Sequence, residues 1–332
     1  MMISCRLQKV SRGERGLSLI ELMISITLGL LIVAALVTVF SNVSKSRSEL
    51  ERGSEQLENG RAAIEVLSED LQLAGYYGEV NVTGAPTALP DPCSTDPVVW
   101  DSAMLVHVQG FDQGAGAPSC MPGSTIAGTD ILTLRRVKAC VAGTAECDPV
   151  VAGHGYVQAS LCSTSGTPYV IGLSGTATFN LTKIDCTTAA GLRRYVVNTY
   201  FLSSDNGSGI AVPTLKRLEF NGAAFTETPL VEGIERIQFE YGVDTDGNGS
   251  PDLYTANPAT PVDWNNVVTV KIYALARSLE PSPGYTDTKT YTLGNDAAGA
   301  PVTVGPFNDS YRRHVFNGVV RLINPSGRRE AQ

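Results

Sequence analysis

The chain of 332 residues carries 3 histidines and 2 tryptophans, and only 17% of its residues are charged. Few histidines leave little material for an imidazole-based metal centre or a proton relay. The sequence has no G-x-S-x-G, no H-E-x-x-H, no phosphate-binding P-loop and no G-x-G-x-x-G. His107, His154 and His314 each stand without an evident nucleophile or carboxylate nearby, so the sequence reads as a non-enzyme. Excess positive charge is lacking too. The formal net charge is −8, which argues against a broadly basic nucleic-acid surface. No C-x-x-C pair occurs among the 7 cysteines. Cys93, Cys120, Cys140, Cys147, Cys162 and Cys186 fall within one stretch, an even set that fits disulfides in an oxidising compartment. A zinc site made from four of them is the weaker alternative.

What is plentiful is glycine (33) and proline (18), the punctuation of a turn-rich β domain. One long apolar run is also present, LSLIELMISITLGLLIVAALVTVF, over residues 17–40. At ~1.5 Å per residue such a helix crosses a ~30 Å hydrocarbon core. It exceeds a signal-peptide core in length, and no A-x-A site follows it. A basic flank, Arg6, Lys9, Arg12 and Arg15 against Glu14, precedes it. Positive-inside orientation then keeps residues 1–16 in the cytoplasm and carries the rest across. Loss of this flank, with its net +3, would take the formal charge from −8 to −11.

Glu21 interrupts the apolar run. A carboxylate there is costly and calls for a partner, although near a helix end it can also snorkel to the interface. Gly16-Leu17-Ser18-Leu19-Ile20-Glu21 resembles the type IV prepilin processing site, with Leu17 where phenylalanine is commoner. The resemblance implies that a prepilin peptidase cuts between Gly16 and Leu17 and methylates the new amine. It also implies that Glu21 neutralises the amine of a neighbouring subunit during assembly.

Beyond residue 40 an apolar row repeats every seven residues, Val43, Leu50, Leu57, Ile64 and Leu71, with Gly60, Leu67 and Ala74 beside it. The pattern predicts an amphipathic continuation over 41–75 that lays its stripe on the globular domain, a coiled coil being the alternative, and ends at Gly75. From 76 to 332 strands are expected at 98–108, 130–137, 178–184, 194–202, 215–220, 235–241, 267–276, 288–293 and 315–323. No strand–helix alternation is evident, so the expected class is α+β: a long N-terminal helix on a largely antiparallel sheet domain. Residues 93–186 read as a cysteine-bearing insertion or subdomain. Cys140–Cys147 and Cys162–Cys186 would close short loops, although six cysteines allow 15 pairings.

Residues 230–254 and 312–324 resemble segments of PilW-like minor pilins. The resemblance implies a pilin-like fold and a minor pilin that primes pilus assembly or sits at the tip. Its implied partners are other minor pilins and the major pilin, the prepilin peptidase, the inner-membrane assembly platform and, before assembly, membrane lipid. The implied location is the inner membrane with a periplasmic domain, then the pilus. A type II secretion minor pseudopilin and a tip adhesin are the alternatives; no nucleic acid is expected as partner.

One further motif is chemical. Asp244, Asp246, Asn248 and Asp252 offer oxygen side chains at alternate positions around Gly249, and Ser250 offers its carbonyl. That spacing suits Ca²⁺, though position twelve is Thr255 where an EF-hand loop has glutamate. The alternative is a polar turn without metal.

Overall fold

The first element among the described residues is a helix whose first stretch is exposed. In the computed structural model, which describes residue 16 and residues 18–330, α1 spans Leu19–Leu73. Its residues fall in two compact units, 1–51 and 52–332. Residues 1–15 and Leu17, and with them most of the leader and one side of the expected cut, lie outside the described residues.

In the first unit α1 is helical from Leu19 onward, and large apolar side chains such as Leu19, Leu31, Leu36 and Phe40 are exposed. Leu, Ile, Ala and Val sustain the helix without a proline, and Thr27 and Thr38 return their hydroxyls to helix carbonyls. This helix is long and apolar enough to cross a membrane.

In the second unit the rest of α1 packs on two antiparallel sheets. Helix α2 (Pro97–Ala103) follows, then β1 (Val108–Phe111), β2 (Ile131–Val137), β3 (Gly155–Ala159), β4 (Tyr169–Leu173) and β5 (Leu192–Ser203). The chain continues through β6 (Thr214–Phe220), β7 (Phe225–Glu232), β8 (Ile234–Val243), β9 (Leu253–Thr255), α3 (Pro261–Asn265) and β10 (Val267–Arg277). It closes with β11 (Tyr291–Asn295), β12 (Pro301–Val304), β13 (Arg313–Arg321) and α4 (Ile323–Glu330). One sheet of 7 strands is ordered β1-β2-β5-β3-β4, with β6 on β5 and β7 on β6. The second is β13-β10-β8-β9, and β11–β12 is a separate hairpin. The fold is α+β and pilin-like, with antiparallel pairing in every ladder among the described residues.

Cys93–Cys120, Cys140–Cys147 and Cys162–Cys186 form the three disulfides, the last two being the short closures expected. The stretch they staple supplies β1 to β4, which join the large sheet through β2 and β3 on β5.

Four expectations change. Residues 98–108 begin as helix α2, because Asp96 accepts from the Val98 amide and Pro97 occupies the first turn. Residues 178–184 form no strand; a single Thr182–Ala189 bridge stands there. Strand β7 carries Pro229, tolerated because β7 pairs on one side only, at a register shift against β6. The buried face of α1 is Gln56, Gly60, Ala63, Leu67, Asp70 and Leu71, while Leu57 is 42% exposed. A straight helix drifts from a seven-residue repeat, so the face moves to 3- and 4-residue steps.

Small residues on that face bring α1 close to β13. A Cβ on Gly60 would run into the Phe316 ring, and Ile64 packs against Gly318. Gln56 donates to the carbonyls of Ala276 (2.8 Å) and Arg312 (2.9 Å). Around this contact lies the main core, including Leu67, Leu71, Tyr200, Phe239, Trp264 and Ile272.

Candidate functional site

The first candidate is the start of α1. Glu21 sits in its first turn, exposed, and its carbonyl accepts from Ser25 Oγ (2.7 Å). Gly16 is also exposed, and open space surrounds its Cα. The carboxylate therefore stands on an apolar helix whose exposed surface includes Leu22, Ile24 and Leu28. Burial of this surface in lipid or against another apolar helix would leave Glu21 in need of a cation.

The second candidate is the 244–252 loop between β8 and β9. Asp244 is fully buried at its base. Its Oδ1 accepts from the amides of Gly247 (2.7 Å) and Asn248 (3.2 Å), and its Oδ2 from Gly249 (2.9 Å). Gly247 and Gly249 take positive φ, which lets the loop turn back over this carboxylate. Asp252 Oδ2 accepts from the Thr245 amide and hydroxyl, both at 2.7 Å, and these bonds hold its carboxyl below the usual carboxylate range. Oxygens of Asp244, Asp246 and Asp252 come within 4.8 Å of one another. Asn248 turns its side-chain oxygen to the Ser250 amide. The convergent donors are hard oxygens, which suits Ca²⁺ or Mg²⁺ and not zinc. Arg329 already brings a guanidinium to Asp244 Oδ2 at 3.4 Å, so part of the negative charge is met from within the chain.

Two polar centres in the domain carry no motif. Asp70, on the buried face of α1, accepts from Arg136 Nε (2.5 Å), Asn198 Nδ2 (2.5 Å) and the Tyr200 hydroxyl (2.6 Å). It ties the helix to β2 and β5. Arg313, with a fully buried side chain, meets Glu235 (2.5 Å), Asp287 (3.0 Å) and Asp309 (2.6 Å). The Arg313 bonds lower the Asp309 carboxyl, and Asp287 also receives the Tyr291 hydroxyl. The only hint of Asp70 in sequence is its place three residues after Leu67 on the 60/63/67 face. Of the partners of Arg313, Asp309 is four residues away, while Asp287 and Glu235 lie 26 and 78 positions back and are not paired by inspection.

Two of the histidines make structural contacts. His107 is buried and its Nε2 lies 2.7 Å from the Val267 carbonyl. Burial, aided by Arg328, Arg329 and Arg135, lowers its pKa to about 3. His314 stacks edge-on to Phe316.

A helix that starts with an apolar, lipid-length stretch and then lies on antiparallel sheets places the chain in the pilin class. The family model for the prokaryotic N-terminal methylation motif matches residues 11–37, and that for type IV pilus-assembly protein W matches residues 199–324. Residues 199–324 are thus similar to type IV pilus-assembly protein W and residues 11–37 to the methylation motif, the similarity expected of a PilW-like minor pilin. A type IV-like pilin from Thermus thermophilus aligns structurally over 81% of this chain and 96% of its own, at 14% identity. Its TM-score of 0.34 is too low to carry any argument. No curated protein matches the sequence. The methylation motif and the apolar helix fit a membrane-anchored pilin, and a pilin works among other pilins and their assembly machinery.

Proposed function

We propose that this protein is a low-abundance subunit that primes type IV pilus assembly or occupies the pilus tip. The observation that carries the reading is Glu21, a lone carboxylate at the start of an exposed apolar helix, inside a methylation-motif match. Cleavage between Gly16 and Leu17 frees an amine in the same apolar setting. A neighbour's amine is then the cation Glu21 needs, and ion pairing in a medium of low dielectric makes the match selective. The domain lies in the periplasm before assembly, which accords with its three disulfides. The size of the 52–332 unit favours a tip or priming position over a shaft built from many copies.

The test is Glu21→Ala in the native host. Mass spectrometry of both proteins should show an N-terminus at Leu17, methylated, because the variant keeps the cut site and a more apolar helix. Recovery of the variant in sheared pili should fall at least tenfold. Normal incorporation would refute the role of Glu21, and an intact leader would refute the prepilin reading. Gene deletion scored for pili, twitching and type II secretion separates this reading from a pseudopilin: loss of secretion with pili intact would replace it.

A secondary role is binding of Ca²⁺ by Asp244, Asp246 and Asp252, with Asn248 and the Ser250 carbonyl contributing. The closeness of the three carboxylates favours it.

A further inference from the structure

A cavity of about 510 Å³ opens between the 81–84 segment, the turn after α2 and the last turn of α4. Arg328 and Arg329 line it, with Asn81, Thr83, Met104 and Pro325 among the other walls. Its charge is opposite to that of the whole chain, which carries −8. Arg328 Nη1 donates to the Gly75 carbonyl just past the end of α1 (2.9 Å) and meets no carboxylate among the described residues. Burial and the like charge of Arg329 both press against its protonated form. Arg329 reaches Asp244 at 3.4 Å and also bonds the Asn266 side chain. Behind them Arg135 is fully buried and held by neutral groups, the Val106 carbonyl (2.8 Å), Gln109 Oε1 (2.9 Å) and the Pro90 carbonyl (3.4 Å). All three guanidiniums bear on the buried His107 and oppose its protonation.

Two guanidiniums on the cavity wall against one contacting carboxylate, Asp244, are an unbalanced arrangement for a half-buried site. The same domain shows the opposite arrangement at Arg313, where one guanidinium meets three carboxylates. We propose that the Arg328–Arg329 cavity is a binding site for an organic oxyanion, a carboxylate or phosphate ester whose body lies on the apolar wall. The forked guanidinium of Arg328 suits two-oxygen recognition of either group. Asn81 and Thr83 supply neutral donors at the rim, and Val82 and Leu105 take the carbon frame. The volume exceeds that of a bare phosphate and falls in the range of small-ligand sites. The inference is independent of the role given to Glu21, and Arg329 and Gly247 join the cavity to the Asp244 loop, so the titrations are run without divalent cation.

Calorimetry on the full-length protein in neutral detergent micelles tests it, with glutarate and glycerol 3-phosphate titrated separately and ionic strength fixed with chloride. At least one should bind with a Kd at or below a few millimolar, and which one does identifies the carboxylate or the phosphate class. Arg328→Gln should weaken that binding at least tenfold, and Arg328→Lys should retain part of it. Because Arg328 also holds the Gly75 carbonyl, Thr83→Asp is the second variant: it adds a negative charge at the exposed rim and should weaken binding equally with the fold intact. If Arg328→Gln fails to fold, Thr83→Asp decides alone. No binding of either probe, or binding unchanged in Thr83→Asp, overturns the proposal.

Discussion

The two stretches of α1 invert the usual rule of burial. In residues 19–51 apolar side chains such as Leu19 (77% exposed) and Phe40 (76%) face outward, and no buried position precedes Gln56. In residues 52–73 the buried face holds a glycine, an alanine, a glutamine and an aspartate besides two leucines. Apolar surface is favourable to cover at roughly 25 cal/mol per Å², so the first stretch is built for a surface supplied from outside, lipid or another helix. The second is built for its own domain, and small residues and paired polar groups set how closely it lies. One helix thus carries an outward-facing half and a docking half, and the type of residue buried tells them apart.

The comparison is broken most severely through charge in the docked domain. Arg313→Met should cost about 3–5 kcal/mol, because Asp287 and Glu235 remain inside without their cation. Chemical denaturation should show it as a lower midpoint at unchanged slope. A loss below about 1 kcal/mol would mean that these carboxylates find other partners.

Next in size is the helix contact itself. Gly60→Leu sets a side chain against the Phe316 ring and should cost about 1–3 kcal/mol of domain stability. Leu30→Ala, at a position 63% exposed, should stay within about 0.5 kcal/mol. Equal effects from the two would erase the distinction between the halves of α1.

A pH scan sharpens the domain side. Burial depresses the pKa of His107 from 6.5 to about 3. A depressed folded-state pKa means that the unfolded chain takes up the proton first. The contribution of neutral His107 is therefore whole above pH 6.5 and lost as pH falls toward 3. Each unit below 6.5 removes about 1.4 kcal/mol, so roughly 2 kcal/mol by pH 5. His107→Gln should flatten this part of the profile; an unchanged profile would place the acid sensitivity elsewhere.

How much of this was legible in sequence depends on how local the cause is. The apolar run, the stop at Gly75 with its positive φ, and the alternating patterns behind β2, β5, β6, β8 and β10 are local, and each is found within a few residues of its expected bounds. Strands β3 and β4 are short and flanked by glycine and serine, so they left too little pattern to read. The apolar residues at 98–100 looked like strand, although Asp96-Pro97 was a helix-start signal in plain view. Glu21 and the Asp244 loop were legible because their spacing lies within single segments. Asp70, Arg313 and the arginine cavity were not: Asp70 meets residues 66 to 130 positions away, and Arg328 reaches back 253.

The smallest expected effect belongs to Ca²⁺ at the 244–252 loop. Asp244, Asp246 and Asp252 stand close enough to share one ion. Arg329 at Asp244 and Thr255 at position twelve limit the affinity. A cation that binds the folded protein and not the unfolded chain adds RT ln(1 + [L]/Kd), about 1.4 kcal/mol at ten times Kd. For a domain of this size that is a rise of a few degrees in Tm. Full-length protein in detergent should therefore melt later in millimolar Ca²⁺ than in chelator, with Mg²⁺ weaker because it demands a smaller octahedral shell. Asp246→Ala is the decisive variant, since Asp246 is exposed and its side chain bonds to Asn248 within the loop. It should abolish the calcium-dependent rise and leave the chelator curve in place. If wild-type protein melts alike in Ca²⁺ and chelator, the loop is a turn held by its own amides, and Arg329 is the only cation Asp244 needs.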